Sequence, residues 1–120
     1  MRRLLIVDDH APFRVVARAM LERGGFLVVG EAADGPEAVA AVHLQRPDIV
    51  LLDVNLPGDD GFTVCQQLID AQLGLAVVLT SSRDEASFRR RLGTSKARGF
   101  ISKTDLTAAA LVEVLKAAPI

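Results

Sequence analysis

Polar side chains follow four short apolar stretches of the sequence, each at the point where the stretch ends. Three are carboxylates, two are hydroxyls and one is an ammonium group: Asp8, Asp9, Asp53, Thr80, Ser81 and Lys103. Carboxylates held close together repel one another, by about 4 kcal/mol per pair at 4 Å and an effective dielectric constant of 20. A raised pKa or a bound hard cation such as Mg²⁺ offsets this repulsion. Because lysine and hydroxyl groups bind phosphate oxygens, the set predicts Mg²⁺-assisted phosphoryl chemistry with a carboxylate as nucleophile.

Among the three acids, Asp53 has the neighbouring residues that indicate its position in the fold most clearly. It follows the apolar run Ile49–Leu52, and the chain then turns at Pro57 and Gly58. A buried strand that ends in this way places its acid at the rim of a sheet, where open α/β sheets bind their ligands. One such acid alone is usually a solvated turn residue. Polar residues at the ends of four predicted strands, taken together, favour a functional site.

The elements that position these residues alternate regularly along the chain. Continuous apolar runs, as expected for buried parallel strands, lie at Leu4–Val7, Leu27–Ala32, Ile49–Leu52, Leu75–Leu79 and Gly99–Ser102. Helices are predicted from Pro12 to the Gly24-Gly25 pair, from Asp34 to about Gln45, after Gly61, from about Asp84 to Leu92 and from Thr107 to Pro119. Right-handed crossovers then give an α/β fold with a doubly wound parallel sheet. All polar strand ends fall on one edge of that sheet.

Several details of the helices are also predicted. Asp34 and Glu37 have the spacing of a capping box, and Thr107 can cap the last helix while Leu106 packs on Leu111. The fourth helix carries Arg89–Arg91 and few apolar residues, so it is expected to pack loosely. The buried face of the first helix is predicted from helical spacing: Phe13, Val16, Ala17, Met20 and Leu21.

Composition limits the remaining classes of function. The 120 residues are expected to form one domain, 1–120, and 50% hydrophobic content excludes disorder. No apolar run reaches the roughly 18 residues of a membrane span. The net charge of -1 and the absence of Trp and Tyr argue against direct nucleic-acid binding. One cysteine, Cys65, fits a reducing compartment and is expected in the core, so a cytoplasmic location is predicted.

The chain resembles the CheY-like receiver domains of bacterial two-component response regulators. The resemblance rests on Asp8-Asp9, Asp53-x-Asn55-x-Pro57-Gly58-x-x-Gly61, Thr80-Ser81 and Gly99-Phe100-x-x-Lys103 at successive strand ends. These motifs cover essentially the whole chain, and as an ordered set they are specific. The resemblance implies a flavodoxin-like fold, (βα)5, with strand order 2-1-3-4-5.

The resemblance also implies the chemistry of the acids. Asp53 would be the phosphoacceptor, taking a phosphoryl group from a histidine kinase to form an acyl phosphate. Asp9 and Asp53 would bind Mg²⁺ directly, Asp8 mainly through water, and Asn55 through its backbone carbonyl. The chain would then be a signalling domain and not a turnover enzyme, with slow self-phosphorylation from small donors and slow self-dephosphorylation.

A switch is implied by the other matched residues. Lys103 would pair with Asp53 and then with the phosphoryl group, a hydroxyl would sense that group, and Phe100 would be the switch aromatic. The sensing hydroxyl is Thr80 or Ser81, because the family usually spaces it one residue closer to the lysine than Thr80 stands. Thr80 is preferred because it directly follows the apolar run.

The sequence leaves the output of such a switch open. Asp8-Asp9-His10, and Thr104 where many receivers have a cis-proline, are typical of receivers that precede a helix-turn-helix output domain, so transcriptional control is expected. The fourth helix, fifth strand and fifth helix would form the output face, with a homodimer as one possibility. The alternatives are a receiver-like interaction module that is not phosphorylated and an aspartyl-phosphate-type phosphatase. Such phosphatases need an acid where Asn55 stands.

Overall fold

A parallel sheet of five strands forms the centre of the computed structural model, which describes residues 2–83 and 85–117. The strands are β1 (Arg3–Val7), β2 (Leu27–Ala32), β3 (Ile49–Asp53), β4 (Ala76–Ser81) and β5 (Gly99–Ser102). Their order across the sheet is β2-β1-β3-β4-β5, and every pairing is parallel. The predicted flavodoxin-like topology is confirmed.

Five α-helices lie in the described residues, one after each strand. They are α1 (Ala11–Arg23), α2 (Gly35–Gln45), α3 (Gly61–Ala71), α4 (Arg89–Thr94) and α5 (Ala108–Lys116). Short 3₁₀ turns span Glu85–Phe88 and Lys103–Asp105, and Asn55–Leu56 pairs with Asp59–Asp60 as a small antiparallel hairpin. Asp84 and Pro119, the predicted start of the fourth helix and end of the fifth, lie outside the described residues. Within the described part of the chain no helix is long and apolar enough to cross a membrane.

The helices cover both faces of the sheet and enclose two apolar cores. Alternate residues of β3 point to opposite faces, as strand geometry requires. Val50 and Leu52 pack with α2, α3 and α4, whereas Ile49 and Leu51 pack with α1 and α5. Burial on both sides explains why the strands read as continuous apolar runs.

The predicted helix caps form, with one difference in detail. The Glu37 N–H donates to Asp34 Oδ1 at 2.9 Å, and the Ala110 N–H donates to the Thr107 hydroxyl at 2.9 Å. Glu37 Oε1 accepts from the N–H of Ala33, one residue before the cap, and not from Asp34 itself. Both arrangements satisfy N–H groups that a helix terminus leaves without partners.

Two predictions about packing are wrong. Val16 was expected in the core but is 63% exposed, because it lies outside the stripe in which α1 buries Ala17 and Leu21 and partly buries Phe13 and Met20. The fourth helix was expected to run from about Asp84 and to pack loosely. A 3₁₀ turn from Glu85 to Phe88 leads directly into the α-helical part at Arg89, so the described chain is helical close to the expected start. The expectation of loose packing is wrong, because Phe88 and Leu92 are both buried against the core.

Candidate phosphoryl-transfer site

Three carboxylates meet at the carboxyl edge of the sheet. Asp8 follows β1, and Asp53 ends the neighbouring strand β3, which is the central strand of the sheet. Asp8, Asp9 and Asp53 each place one carboxylate oxygen within 4.8 Å of the others. Asp8 and Asp53 are buried, whereas Asp9 is exposed at the mouth of the site. The structure thus brings together the three acids singled out in the sequence.

Asp8 is held by contacts on both carboxylate oxygens. Its Oδ1 accepts the His10 N–H at 2.8 Å, and its Oδ2 lies 2.6 Å from Lys103 Nζ. The second contact is an ion pair whose angles do not meet those of a hydrogen bond. The Asp8 N–H donates to the carbonyl of Ala32 on β2 at 2.9 Å. Asp8 therefore fixes the strand end and the position of the lysine.

Asp53 carries the carboxylate with the most perturbed surroundings. Its Oδ1 accepts the Asn55 N–H at 3.0 Å, and its Oδ2 accepts from Lys103 Nζ at 3.3 Å. Burial raises the pKa of Asp53 above its ordinary value, and the charge of Asp8 adds to this effect. The Asn55 N–H and Lys103 act in the opposite direction without cancelling it. A shifted carboxyl group at a sheet edge is typical of functional sites.

Lys103 connects the two buried acids. It begins the 3₁₀ turn after β5, and its ammonium lies over the Phe13 ring, 4.5 Å from the ring centroid. Burial opposes the positive charge, but the carboxylates of Asp8 and Asp53 outweigh it and raise the pKa of Lys103. The lysine is therefore charged and offsets part of the repulsion between the acids.

The two candidate hydroxyls lie at the end of β4 with different contacts. Thr80 is paired in register with Asp53, and its carbonyl accepts the Val54 N–H at 2.9 Å. Ser81 Oγ accepts from Asn55 Nδ2 at 3.3 Å and from the Arg83 N–H at 3.1 Å. Both residues are buried. Both hydroxyl-bearing residues thus border the acidic site from one side.

Phe100 belongs to a row of three aromatic rings. Its ring centroid is 5.9 Å from that of Phe88, which is 6.1 Å from that of Phe62. Tilted rings at these distances attract one another. The row runs from β5, beneath the start of α4, to the first turn of α3. It lies on the sheet face opposite to α1 and α5.

A tight backbone contact shapes the loop after Asp53. Gly58 has a φ of +72°, a conformation suited to glycine. At Gly61, a Cβ atom would lie 2.5 Å from the backbone of Val54 and 2.7 Å from the carbonyl oxygen of Asp53. The start of α3 therefore rests directly on the backbone that carries Asp53. The Gly58-x-x-Gly61 spacing of the sequence has a physical reason here.

Sequence analysis missed an ionic network beside the acids. Arg14 on α1 donates from Nη1 to the carbonyl oxygen of Asp8 at 2.5 Å and from Nε to Glu31 Oε1 at 3.0 Å. Arg18, one turn later, donates to Glu31 Oε2 at 2.8 Å. The only signal in the sequence is the spacing of two arginines four residues apart, which does not identify a partner on another strand.

The other reactive side chains lie apart from this cluster. Cys65 is buried in the core, as predicted, and burial raises the pKa of its thiol to about 11. His10 is exposed. Neither side chain belongs to the set of carboxylates gathered at the sheet edge.

A hard divalent cation fits the donor set of the site. Carboxylate oxygens are the ligands that Mg²⁺ and Ca²⁺ prefer, and three of them converge here from three residues. Asp8 Oδ2 is buried and already pairs with Lys103 Nζ at 2.6 Å. The single charge of Lys103 leaves the three carboxylates with a net negative charge.

Known proteins resemble this chain in both sequence and fold. Residues 4–116 match the family described as the response regulator receiver domain. The chain is 39% identical to the transcriptional regulatory protein PdtaR of Mycobacterium tuberculosis over 77% of its own length and 46% of that protein. It is 33% identical to the response regulator GacA of Pseudomonas viridiflava over 98% of its own length and 53% of that protein. The chain thus spans about half the length of these curated relatives.

A solved structure supports the same relationship. The crystal structure of a two-component response regulator of the LuxR family from Aurantimonas sp. superposes with a TM-score of 0.84. The sequences are 30% identical, and the match covers 94% of this chain and 81% of that one. The chain therefore belongs to the response regulator receiver domains of two-component systems.

Proposed function

We propose that this chain is a single receiver domain whose Asp53 accepts a phosphoryl group from a histidine kinase. The observation that carries the proposal is the buried Asp53 carboxylate, which has Lys103 Nζ at 3.3 Å and oxygens of Asp8 and Asp9 within 4.8 Å. A carboxylate oxygen is the nucleophile, and the product is an acyl phosphate. Family membership favours phosphoryl transfer as the chemistry of this acid cluster.

Mg²⁺ is the proposed cofactor, held by Asp8, Asp9, Asp53 and the backbone carbonyl of Asn55. When bound, it neutralises charge on the phosphoryl oxygens and aligns them with the nucleophile. Asp9 is exposed and free to reach a cation at the mouth of the site. Asp8 stays fixed by His10 and Lys103.

Lys103 holds a charge in place for the incoming group. Before transfer it is shared between Asp8, at 2.6 Å, and Asp53, at 3.3 Å. Phosphorylation converts the Asp53 carboxylate into an acyl phosphate, and the added phosphoryl oxygens carry negative charge. The Lys103 ammonium then binds the phosphoryl group more strongly than it bound the carboxylate. This new contact replaces the longer of its two ion pairs, the one with Asp53.

The switch requires more than one new contact. Inverting a strongly biased two-state equilibrium takes about 5.5 kcal/mol of differential interaction, whereas one hydrogen bond to a charged group gives roughly 1.5–3 kcal/mol. The sensing hydroxyl and Lys103 must therefore act together. Both lie close in the chain or sheet to Phe100, the end of the row of rings. The hydroxyl is on β4, which pairs directly with β5, and Lys103 follows β5.

Thr80 is the proposed sensing hydroxyl. Its strand register places it beside Asp53, whereas Ser81 Oγ already accepts two hydrogen bonds from Asn55 and Arg83. Thr80→Val and Ser81→Ala form a matched pair of tests. Phosphorylation-dependent chemical shift changes at Phe100 should be lost in the first variant and kept in the second. The reverse result would assign the role to Ser81.

The proposed output is transcriptional control from the cytoplasm, through the face formed by α4, β5 and α5. Relatives of the chain are named as transcriptional regulators, and they are about twice as long. This face would bind an output domain, another partner or a second copy of the chain, and no direct contact with nucleic acid is proposed.

Phosphoryl uptake by the purified chain tests the proposal. With Mg²⁺ and labelled acetyl phosphate, the wild-type chain should take up about one phosphoryl group per molecule and release it slowly. Asp53→Asn should incorporate none, and Asp70→Asn, which removes an exposed acid on α3, should behave as wild type. Stable incorporation in Asp53→Asn would overturn the assignment. Sustained turnover of a small phosphate ester would favour a phosphatase instead.

A further inference from the structure

We infer that Arg14 is a positioning residue of the cation site, which fixes the peptide group between Asp8 and Asp9 and thereby aims the Asp9 carboxylate at the cation. The inference rests on the proposed function of the acidic cluster. It assigns a role to a residue on α1 that contacts neither Asp53 nor the phosphoryl group.

The contacts of the Asp8 backbone support this role. The Asp8 N–H donates to Ala32 on β2 at 2.9 Å, and the Asp8 carbonyl oxygen accepts from Arg14 Nη1 at 2.5 Å. That carbonyl belongs to the peptide plane that also carries the Asp9 nitrogen. Fixing this plane limits the directions in which the exposed Asp9 side chain can point. Asp9 is the acid of the cluster that burial does not hold.

Glu31 keeps the Arg14 guanidinium in place. One carboxylate oxygen accepts from Arg14 Nε at 3.0 Å and the other from Arg18 Nη1 at 2.8 Å. Hydrogen bonding from Arg18, helped by Arg14, lowers the pKa of Glu31 even though partial burial opposes this. Glu31 is therefore ionised at neutral pH and offsets the charge of Arg14. The guanidinium can then lie close to a cation site without a full uncompensated positive charge.

The competing explanation is a surface ion pair, and it makes the opposite prediction for cation affinity. Arg14 is 19% exposed, and exposed pairs of this kind stabilise proteins by only about 0–1 kcal/mol. If Arg14 acted only through its charge, its removal would strengthen Mg²⁺ binding, because a nearby positive charge would be lost. If Arg14 positions Asp9, its removal weakens binding.

Calorimetric titration of the purified chain with Mg²⁺ separates these predictions. Partners that orient metal ligands typically change affinity by about 10–100-fold, so Arg14→Ala should bind Mg²⁺ about tenfold more weakly. Arg14→Lys keeps the charge but lacks two separate nitrogens to span Glu31 and the Asp8 carbonyl, so it should also bind more weakly. Arg18→Ala is the matched control, because it loses the same partner without touching Asp8. Its affinity should stay within about twofold of wild type.

Hydrogen exchange in Mg²⁺-free protein gives a second readout. The His10 amide, which donates to Asp8 Oδ1, should exchange faster in Arg14→Ala than in Arg18→Ala. If the wild-type chain binds Mg²⁺ and Arg14→Ala binds it equally tightly or more tightly, the inference about Arg14 is overturned and the proposed cation site is not. A wild-type chain that does not bind Mg²⁺ would overturn the proposed cation site together with this role. Unchanged exchange at His10 would show that Arg14 does not fix this turn.

Discussion

Burial of the Asp53 side chain has opposite consequences for chemistry and for stability. As the proposed nucleophile, Asp53 must ionise, but burial raises its pKa, and neither Lys103 nor the Asn55 N–H fully compensates. A carboxyl group whose pKa is higher in the folded than in the unfolded state stabilises the fold while it is protonated. This contribution is complete below the unfolded value and is lost as the pH rises through the folded value. At neutral pH the fold therefore bears the cost of a buried charge.

Asp53→Asn should accordingly raise the free energy of unfolding at neutral pH without divalent cations. The gain should shrink as the pH falls towards the ordinary carboxyl value of 3.8, because wild-type Asp53 then becomes neutral as well. Lys103 keeps Asp8 as a partner in the variant. Urea unfolding followed by circular dichroism at several pH values measures the difference. A less stable variant at neutral pH would contradict this reading, and Asp70→Asn serves as the control for loss of an exposed acid.

Among the secondary structure elements, α3 is tied directly to the site through its first residue. At Gly61 an added Cβ would lie 2.5 Å from the backbone of Val54, whereas at Gly93 in α4 nothing lies within 4 Å. Overpacking of this kind typically costs about 1–3 kcal/mol, so Gly61→Ala should be destabilised and should shift the Asp53 loop. Gly93→Ala should be stabilised by about 0.5–1 kcal/mol, because alanine favours helices. Urea unfolding of both variants tests this, and equal stabilities would contradict it.

A second tether joins α4 to the loop after Asp53. Arg91 forms an ion pair with Asp60 and lies over the Phe62 ring, 4.3 Å from its centroid. Asp60 also caps α3 by accepting the Phe62 N–H at 3.1 Å. Asp60 thus caps the start of α3 and also holds α4 in position, next to Phe62, the first ring of the aromatic row.

Arg91→Ala should therefore loosen α4 while leaving the sheet intact. The Ser95 amide, which closes the end of α4 on the Leu92 carbonyl, should exchange with solvent several-fold faster than in wild type. Arg90→Ala is the matched control, since Arg90 is exposed and forms no ion pair with the residues that the structure describes. Hydrogen exchange followed by NMR compares the two variants. Equal exchange at Ser95 in both would show that Arg91 does not tether the helix.

The sequence predicted elements better than it predicted contacts between them. Apolar runs and capping residues located the strands and most helix starts, because those signals are local. The wrong predictions concern the burial of Val16 and the packing of α4. Both depend on how neighbouring elements cover a helix, which is not a local signal. The bonds of Arg14 and Arg91 join residues on different elements, and no periodic pattern encodes them.

For the molecule as a whole, topology explains why the site was predictable. Parallel strands place all their carboxyl ends on one edge, so acids about 45 residues apart in sequence, Asp8 and Asp53, meet with Lys103 at that edge. The same rule cannot say which of Thr80 and Ser81 faces the acids, because both lie at the end of β4. That choice depends on side-chain contacts and not on topology.

Cation binding at this edge should stabilise the entire fold, since the proposed ligands come from two segments far apart in the chain, Asp8-Asp9 and Asp53–Asn55. A ligand that binds only the folded state adds stability with the logarithm of its concentration. Above the dissociation constant, each tenfold rise in Mg²⁺ should thus raise the free energy of unfolding by about 1.4 kcal/mol. Asp9→Asn should remove most of this slope at constant ionic strength, because Asp9 is a proposed ligand that is exposed, so its loss leaves the core unchanged. Asp70→Asn should keep the slope, and an equal slope in Asp9→Asn and wild type would place the stabilising cation elsewhere on the molecule.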